Sequence, residues 1–582
     1  MTTQKLELTW VGKNHKIRLE PRILIEDTEK SYGDPETGNM LIHWDNLLAL
    51  KALEQDYAGK VKCIYIDPPY NTGNAFKHYE DWLEHSEWLN LIKPRLEILR
   101  RLLSDNGSIW ISIDDTEQAF LTVLCAEIFW RDNFVACLPT IMNLKWNQDQ
   151  FGFAWTHEYT VVYAKNKWKL QLNNFKISED DIADEWSEDG MWLYKVWAPM
   201  RATWTEWHRE DRPFMFYPIL IKDNNVSTIP EEEFGKIYNK NSKTFDDVFV
   251  NSLSEKYISL GYSFILPMVD DSNFGRWRWW YNNENISRLN YDVVVKETKN
   301  WYSLYKKQRP EIGELPSKKP KSIFYKPEYS SWNGTSQVKA IFWFKAFDYP
   351  KPEELIRDII ELSSNEGDII LDSFLWSGTT SAVAQKLNRQ YIGIEMGNHA
   401  YSLCKVRLDK VIDWSDKWWI SKSIDWNWWG WYKFYELGPS VMTKDERGRY
   451  VINPNMNGEL LIRALCKIEN FKYLPKGDSD IIKHWYSTER DFLHVTTRLI
   501  DQEAIDRIQS KYLKEDEGIL ILAKTVADGL QLPPNIQVKK IPNEILRKCE
   551  YAKDDYSLPI LTQTQEELEG LKKDIIQIDN QD

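Results

Sequence analysis

The chain has 582 residues, of which 42% are hydrophobic and 28% are charged, a composition typical of a globular protein with several domains. It contains no run of about 18 apolar residues and no apolar N-terminal segment, so it predicts neither a membrane span nor secretion. The net charge of −14 argues against a basic surface that coats nucleic acid, although a local basic groove stays compatible with it. The six cysteines form no CxxC pair, which predicts no metal site or disulfide framework and fits a reducing cytoplasm.

Two stretches of the chain alternate between strand and helix patterns. The first predicts, in order, a strand at 61–67, a helix at 86–103, a strand at 107–114, a helix at 116–129 and a strand at 158–164. The second predicts a helix at 351–363, a strand at 368–372, a helix at 378–387, a strand at 391–395 and a helix at 399–412. This alternation predicts an α/β fold with a doubly wound, mostly parallel sheet.

The segments between and after these stretches differ from them in periodicity, composition and charge. Helical periodicity fades from about residue 170 to 345, where aromatic, Asn and charged residues are frequent. Residues 301–350 hold nine Lys or Arg against four Asp or Glu, a net charge of +5, and are the best candidate for a DNA-contacting region. Residues 501–582 hold 11 positive and 17 negative residues, net −6, which disfavours them as the main DNA contact.

The tetrapeptide Asp67-Pro68-Pro69-Tyr70 follows the predicted strand 61–67, where open α/β sheets bind ligands. These residue types suit methylation of an exocyclic amine, whose nitrogen becomes nucleophilic when acceptors hold its two N–H groups. The Asp67 carboxylate and the Pro68 carbonyl are the candidate acceptors, Pro68 and Pro69 stiffen the turn, and Tyr70 offers a flat face for a flipped base. The competing interpretation is a proline-stiffened turn with a surface tyrosine.

Several segments carry a resemblance to a known family. IYIDPPYNTG, HSEWLNLIKPRLEILRRLL and GSIWISIDD resemble the β-class DNA adenine-N6 methyltransferases, and more narrowly the modification (Mod) subunits of Type III restriction–modification systems. The resemblance continues in HEYTVVYAKN, GRWRW, FDYPKP and FYELGPS, and so covers most of the chain. It implies a Rossmann-like fold dependent on S-adenosyl-L-methionine (SAM), in which the catalytic motif precedes the cofactor motif.

The resemblance also implies a domain order and partners. It divides the chain into an N-terminal extension (1–40), a catalytic half (41–169), a target recognition domain (170–345), a SAM-binding half (346–432) and an α+β C-terminal partner or dimer domain (433–582). It implies double-stranded DNA as substrate, a homodimer and a separate helicase–nuclease (Res) subunit. The chain itself has no GxxxxGK[ST] P-loop, so cleavage in such a system requires that partner.

The implied cofactor segment lies between the strand 368–372 and the next helix, at a turn where small residues let the backbone approach a ligand. The family carries F-x-G-x-G at this turn and binds SAM there. Glu395 ends the following strand, where an acidic residue commonly binds ribose hydroxyls. The expected cofactor-binding residues are therefore Asp372, Phe374, Ser377, Gly378, Thr379 and Glu395, together with Asp45, which matches a family position near the adenine.

Tryptophan is unusually frequent in this chain, with 29 Trp against 25 Gly. Seven lie within 414–431, a segment that tends to be Gly-rich in the family, and five others stand where the family favours glycine: Trp44, Trp130, Trp155, Trp343 and Trp376. Because tryptophan at a glycine position is strained, we hypothesise that UGA, read here as Trp, encodes Gly in the source organism. The alternative is a genuinely Trp-rich protein. Trp88, Trp110 and Trp277 match the family and are expected to be genuine.

Three other functions stay open at the level of sequence. A cytosine-N4 methyltransferase uses the same amine chemistry, but more often has Ser than Asp before Pro-Pro-Tyr. A DNA-recognition scaffold without activity is favoured by Trp376 in the SAM turn and opposed by the intact Asp67–Tyr70 motif. The third is an adenine methyltransferase without a Res partner.

Overall fold

The structure, a computed structural model, describes most of the chain. The described residues are 7–34, 36–71, 85–143, 153–177, 179–270, 273–298, 301–413, 415–417, 419–424, 426, 430–456, 458–473, 485–487, 490–541, 545–546 and 548–556. The chain divides into two compact units, Met1–Asn173 with Lys321–Asp582, and Asn174–Pro320. The second unit lies inside the range 170–345 that the sequence assigns to target recognition, whereas residues 321–345 belong to the first unit. No helix in the described part of the chain is both long and apolar enough to cross a membrane.

A nine-stranded sheet forms the centre of the first unit. Its strands lie in the spatial order Leu24–Glu26, Lys433–Leu437, Met40–His43, Gln390–Glu395, Ile369–Asp372, Val61–Ile66, Leu103–Ile113, His157–Ala164 and Phe134–Ile141. The six strands from Lys433–Leu437 to Leu103–Ile113 are parallel, and the outer ones are antiparallel. Every residue of Val61–Ile66 is buried, as expected for a parallel strand covered on both faces. The predicted α/β fold with a mostly parallel sheet is confirmed.

Helices connect and cover these strands in two groups. One group contains Asn46–Tyr57, His85–Leu102 and Gln118–Phe129, and the other contains Ser331–Phe342, Glu353–Ser363, Thr379–Lys386, Val406–Ile412 and Ile420–Ser423. The sequence explains where the helix Asn46–Tyr57 begins. The Asp45 carboxylate caps the first helix by accepting the backbone N–H groups of Leu47 and Leu48.

The end of the first unit carries a second, smaller sheet. Its strands are Lys472–Tyr473, Trp485–Tyr486, Asp491–Ile500, Gly518–Val526 and Ile536–Lys540, in this spatial order. The last three are parallel, and helix Gln502–Lys511 connects the first two of them. Helix Gly458–Ile468 and the hairpin of Met442–Lys444 with Tyr450–Ile452 complete this region.

The second unit is built mainly from short antiparallel strands around its own apolar cores. Its strands are Phe175–Lys176, Ser187–Glu188, Leu193–Pro199, Ile219–Lys222, Asn225–Thr228, Tyr238–Asn239, Thr244–Phe245, Ser263–Ile265, Val293–Thr298, Trp301–Gln308 and Ser317–Lys318. Its helices are Glu179–Glu185, Glu231–Ile237, Asp247–Ser259 and Asn283–Asp292. Trp277, Tyr217 and Met200 are buried in one core, and Phe216 and Leu220 in the other.

Candidate active site

The tetrapeptide Asp67–Tyr70 lies at the carboxyl end of the central strand Val61–Ile66. The neighbouring strand Ile369–Asp372 runs parallel to it, with Ile370 paired to Cys63. Parallel neighbours end at the same edge of a sheet, so the loops that follow the two strands meet there. The sheet therefore brings together the predicted catalytic motif and the predicted cofactor turn, although about 300 residues separate them in the chain.

Asp67 presents its two carboxylate oxygens to different surroundings. Oδ1 accepts a hydrogen bond from the Tyr70 hydroxyl at 2.8 Å and lies 3.4 Å from the Lys351 ammonium. Within the part of the chain that the structure describes, no hydrogen bond reaches Asp67 Oδ2 or the Pro68 carbonyl. Asp67 Oδ2 and the Pro68 carbonyl are therefore two acceptors at this strand end with capacity for donors from a ligand.

The rest of the motif is fixed by its own contacts. The buried Trp88 indole donates its N–H to the Pro69 carbonyl at 2.7 Å and so holds the turn in place. Tyr70 packs against the central apolar core and is only partly exposed. The residues Thr72 and Gly73, which extend the motif in the sequence, lie outside the described residues.

Two side chains that the sequence did not single out complete this cluster. Lys351, just before helix Glu353–Ser363, donates hydrogen bonds to the Tyr70 hydroxyl at 2.6 Å and to both Glu158 carboxylate oxygens at 2.7 Å. Glu158 belongs to the strand His157–Ala164 and is buried. Its oxygen Oε2 lies 3.1 Å from the Tyr70 hydroxyl. The available signals were a glutamate within the strand His157–Ala164 and a lysine between two prolines.

Burial dominates the electrostatics of this cluster. It raises the pKa of Asp67 and of Glu158, and the nearby Lys351 ammonium only partly opposes that rise. Burial also disfavours the charged form of Lys351, but the two facing carboxylates outweigh it and raise the Lys351 pKa. When all three groups are ionised, the cluster carries one net negative charge, which suits a ligand that becomes positive during a reaction.

The turn after strand Ile369–Asp372 is held by polar contacts of its own. The Asp372 carboxylate accepts hydrogen bonds from the Phe374 backbone N–H at 2.9 Å and the Thr380 hydroxyl at 2.5 Å. Burial raises the Asp372 pKa to about 7. Gly378 has φ of 78° and precedes helix Thr379–Lys386. A Cβ atom there would lie 3.1 Å from the Cys404 Cα, so both the conformation and the space require glycine.

A cleft of about 500 Å³, part of it open to solvent, lies beside this turn. Two of the predicted cofactor residues, Glu395 and Phe374, line it. The full lining is Asn46, Leu91, Arg95, Ser373, Phe374, Trp376, Ile394, Glu395, Met396 and His399. Burial raises the Glu395 pKa to about 7. Among the described residues, the buried Ser373 Oγ and His399 Nδ1 atoms have no hydrogen-bond partner. Buried polar atoms are nearly always paired, so these two atoms are suited to a polar ligand in the cleft.

Several predicted cofactor residues support the cleft from outside its lining. The Asp45 carboxylate accepts hydrogen bonds from backbone N–H groups and from the Arg95 guanidinium, and its neighbour Asn46 faces the cleft instead. Ser377 and Thr379 are buried, and their hydroxyls lie 3.2 Å apart. Their assignment to cofactor binding stays a prediction. No group of three or more His, Cys, Asp or Glu side chains in the described regions is arranged to hold a metal ion.

Comparison with known proteins identifies the family. The family described as DNA methylase, with N6- and N4-specific members, matches residues 61–406. The chain belongs to the DNA methylase family. This range includes the Asp67–Tyr70 motif, both members of the Glu158–Lys351 pair and the turn at 372–379.

Individual relatives of this methylase are Type III Mod subunits, and the resemblance stated from the sequence is confirmed. The EcoPI Mod subunit from Escherichia phage P1 is 37% identical over 430 residues, which cover 68% of this chain and 63% of that protein. The probable HindVI Mod subunit from Haemophilus influenzae is 32% identical over 427 residues, 69% of this chain and 54% of that protein. The methylase therefore spans less than two thirds of either relative. The solved M1.HpyAVI–SAM complex matches 64% of this chain and 99% of its own at 15% identity, with a TM-score of 0.28.

Trp376 of the methylase has a backbone conformation that is unusual for tryptophan. It has φ of 52° and occupies the second position of a tight turn closed by the Gly378 N–H and the Leu375 carbonyl. A positive φ at that position is typical of turns that use Gly, Asn or Asp. Its indole lines the cleft and donates its N–H to the Asp67 carbonyl at 2.7 Å. The side chain thus lies between the cleft and the catalytic motif.

Among the described residues of the methylase, three other tryptophans have a positive φ. Trp130 (φ 71°, ψ 138°), Trp343 (φ 69°, ψ 0°) and Trp419 (φ 56°, ψ −124°) all have positive φ. Trp343 ends helix Ser331–Phe342 in the left-handed conformation that glycine usually supplies at a helix end. Positive φ is a genuine outlier for a bulky side chain and costs about 1–3 kcal/mol per residue. Four such sites together rival the total stability of a typical domain.

The tryptophans expected to be genuine behave differently. Trp88, Trp110 and Trp277 are buried, lack positive φ, and donate their indole N–H groups to Pro69, Ser108 and Tyr217 respectively. Trp44 and Trp155 also lack positive φ, so their backbones do not require glycine. Of the seven tryptophans in 414–431, Trp414, Trp418, Trp428 and Trp429 lie outside the described residues.

Proposed function

We propose that this DNA methylase transfers a methyl group from SAM to the N6 amine of adenine in a short duplex DNA site. The observation that carries the proposal is the pair of acceptors, Asp67 Oδ2 and the Pro68 carbonyl, at the strand end beside the cleft. The two acceptors match the two N–H groups of one exocyclic amine. A base inside a duplex cannot reach them, so the adenine is flipped out of the helix and stacks on Tyr70.

The residues of the chain act on the amine rather than on the methyl group. Hydrogen bonds from the amine to Asp67 Oδ2 and the Pro68 carbonyl direct its lone pair away from the ring. A bound SAM would supply an electrophilic methyl group, which the amine nitrogen would accept as the S–C bond breaks and leaves its electrons on sulfur. The methylated nitrogen would carry a positive charge, which the net negative charge of the Asp67 cluster stabilises, and would then release one proton to solvent water.

The cleft has the polar groups that SAM requires. Glu395 can accept hydrogen bonds from the ribose hydroxyls, while the unpaired Ser373 Oγ and His399 Nδ1 are available to other polar atoms of the cofactor. Phe374 supplies an apolar wall. Trp376 fits a bound SAM poorly, because its indole lies between the cleft and the Asp67–Tyr70 motif.

We therefore also propose that residue 376 is glycine in the working enzyme, and that Trp130, Trp343 and Trp419 are glycine as well. The positive φ at all four positions supports this proposal independently of any family comparison. UGA codons that specify glycine in the source organism account for all four at once. Peptide mass spectra of the protein from its native source test this directly, and Trp at positions 343 and 376 contradicts it.

The remaining parts of the chain follow from the relatives. Because the relatives are named Mod subunits of Type III enzymes, we propose that residues 170–345 recognise the DNA site and that the chain acts as a homodimer with a Res subunit. The C-terminal region 433–582 is the proposed surface for these contacts. The free cysteines are consistent with a cytoplasmic location.

A single experiment separates these functions. Plasmid DNA is incubated with SAM and either the chain as written or its Trp376→Gly form, and the product nucleosides are resolved by mass spectrometry. N6-methyladenine from the Trp376→Gly form supports the proposal, and its absence from the other form supports glycine at 376. N4-methylcytosine makes the enzyme a cytosine methylase, which would use the same two acceptors. No product from either form contradicts the proposed activity and favours a recognition scaffold.

A further inference from the structure

Among the described residues, the Asp67 carboxylate is held through only one of its two oxygens. The Tyr70 hydroxyl and the Lys351 ammonium both approach Oδ1, and this leaves Oδ2 toward the substrate side. Lys351 is in turn held by both oxygens of Glu158. A chain of contacts therefore runs from Glu158 through Lys351 and Tyr70 to the carboxylate that receives the amine.

We propose that Glu158 and Lys351 are a positioning pair for methyl transfer, in which Lys351 fixes Asp67 Oδ1 and the Tyr70 hydroxyl while Glu158 fixes Lys351. The inference rests on the proposed methylase function and assigns roles to two residues outside the Asp67–Tyr70 motif. Neither residue lines the cofactor cleft, so the pair acts on the amine side of the reaction.

The hydroxyl of Tyr70 shows why a cation is needed at this place. It has one proton, yet it lies within hydrogen-bond distance of Asp67 at 2.8 Å and Glu158 at 3.1 Å. It can donate to only one of them at a time. Lys351 donates to the hydroxyl oxygen at 2.6 Å and to Glu158, which satisfies Glu158 and directs the Tyr70 proton to Asp67.

The pair also sets the charge of the site. Two buried carboxylates close to one hydroxyl would not both ionise without a cation between them, because each disfavours the charge of the other. Lys351 supplies that cation, and its loss would raise the pKa of Asp67 and of Glu158 further, which favours protonation of one of them. A protonated Asp67 is a poorer acceptor for an amine. The acidic limb of the pH–rate profile then reports the state of this cluster.

Among the described residues, the other ionisable groups that act on the cluster are Tyr65 and Asp372. Tyr65 lies on the strand before Asp67, and its hydroxyl is 2.9 Å from the Ser112 hydroxyl. Burial raises the pKa of Tyr65 well above its ordinary value, so it stays neutral. Asp372 is close enough to act on Asp67 electrostatically, but every variant used below leaves it unchanged.

The test compares Lys351→Met with Glu158→Gln in the full chain carrying Trp376→Gly. Single-turnover rates are measured from pH 5.5 to 9, together with SAM binding. We expect Lys351→Met to lower the rate about 100-fold at pH 7, to move the acidic limb up by about one pH unit and to regain rate as the pH rises. We expect Glu158→Gln to move the same limb down, because one of the two competing carboxylates is gone. SAM affinity should change less than about threefold in both.

Two further variants serve as controls. Lys351→Arg keeps the cation and should retain more activity than Lys351→Met. Lys169→Met removes a lysine from an exposed surface pair with Asp105 and should leave the profile unchanged. Limbs that move in the same direction, or do not move, overturn the positioning pair while the methylase activity stands. A parent protein that makes no N6-methyladenine refutes the proposed function, and the inference with it.

Discussion

The most direct consequence of the backbone geometry concerns Trp343. It ends helix Ser331–Phe342 at φ of 69° and is 83% exposed, so its side chain contributes little packing. A side chain in the left-handed conformation costs about 1–2 kcal/mol, which glycine avoids. Trp343→Gly should therefore raise the free energy of unfolding by about 1 kcal/mol.

A matched control lies on the same helix. Trp332 is also largely exposed, at 63%, but lies within the helix and lacks positive φ. Glycine is a poorer helix former than tryptophan, so Trp332→Gly should lower the free energy of unfolding by about 0.5 kcal/mol. The same chemical change thus has opposite signs at two positions, and the difference does not depend on the size or hydrophobicity of the side chain removed.

Urea unfolding followed by circular dichroism measures both effects. The midpoint shift is the change in unfolding free energy divided by the slope of that free energy against urea concentration. With a slope at the upper end of the usual range, about 3 kcal/mol per M, the midpoint should shift by about +0.3 M for Trp343→Gly and by a smaller negative amount for Trp332→Gly. A negative shift for Trp343→Gly, or equal shifts for both variants, would refute the reasoning that the backbone at 343 requires glycine.

Other predictions concern the site and its support. Asp67→Ala should abolish methylation and leave SAM binding nearly intact, as measured by product formation and calorimetry, and retained activity would exclude Asp67 as an acceptor. Because burial raises the Glu395 pKa to about 7, SAM affinity should increase as the pH rises from 6 to 8 and Glu395 ionises, and Glu395→Gln should remove this dependence in a calorimetric titration. Burial also raises the Asp372 pKa to about 7, so its contribution to stability is complete below about pH 4 and is lost as the pH rises through 7; Asp372→Asn should flatten the unfolding free energy over that range. Glu353 is fully buried against Lys386, and Glu353→Gln should destabilise the fold by about 3–5 kcal/mol in urea unfolding, whereas a loss under 1 kcal/mol would mean that the charge is not needed.

Much of the central fold was predictable because buried parallel strands read as short apolar runs. The strand Val61–Ile66 and the helix His85–Leu102 lie within one residue of the predicted 61–67 and 86–103. The edge strand Leu24–Glu26 and its neighbour Lys433–Leu437 were not predicted, since short strands with few fully buried side chains carry a weaker pattern. The order of strands across the sheet depends on contacts between distant segments, which periodicity does not encode.

The residues of the candidate site also differ in how well the sequence predicted them. The Asp67–Tyr70 motif was evident from its residue types at a strand end. Glu158 and Lys351 were not, because they are 193 residues apart and meet only in the folded chain. For Asp45, the sequence predicted a cofactor contact, but its carboxylate caps a helix and binds Arg95. A sequence motif does not distinguish such structural contacts from a ligand contact.

The pairing of Val61–Ile66 with Ile369–Asp372 affects how the chain is made. The centre of the sheet joins Cys63 to Ile370, so the innermost pair of strands is separated by roughly 300 residues of sequence. At about 5–20 residues per second, a ribosome needs roughly 15–60 s to synthesise the second strand after the first. During that interval the strand Val61–Ile66 has one unpaired edge in an incomplete core, exposed to aggregation and to chaperones. The Asp67–Tyr70 motif thus follows a strand that waits for roughly 300 further residues of the nascent chain before its central partner exists.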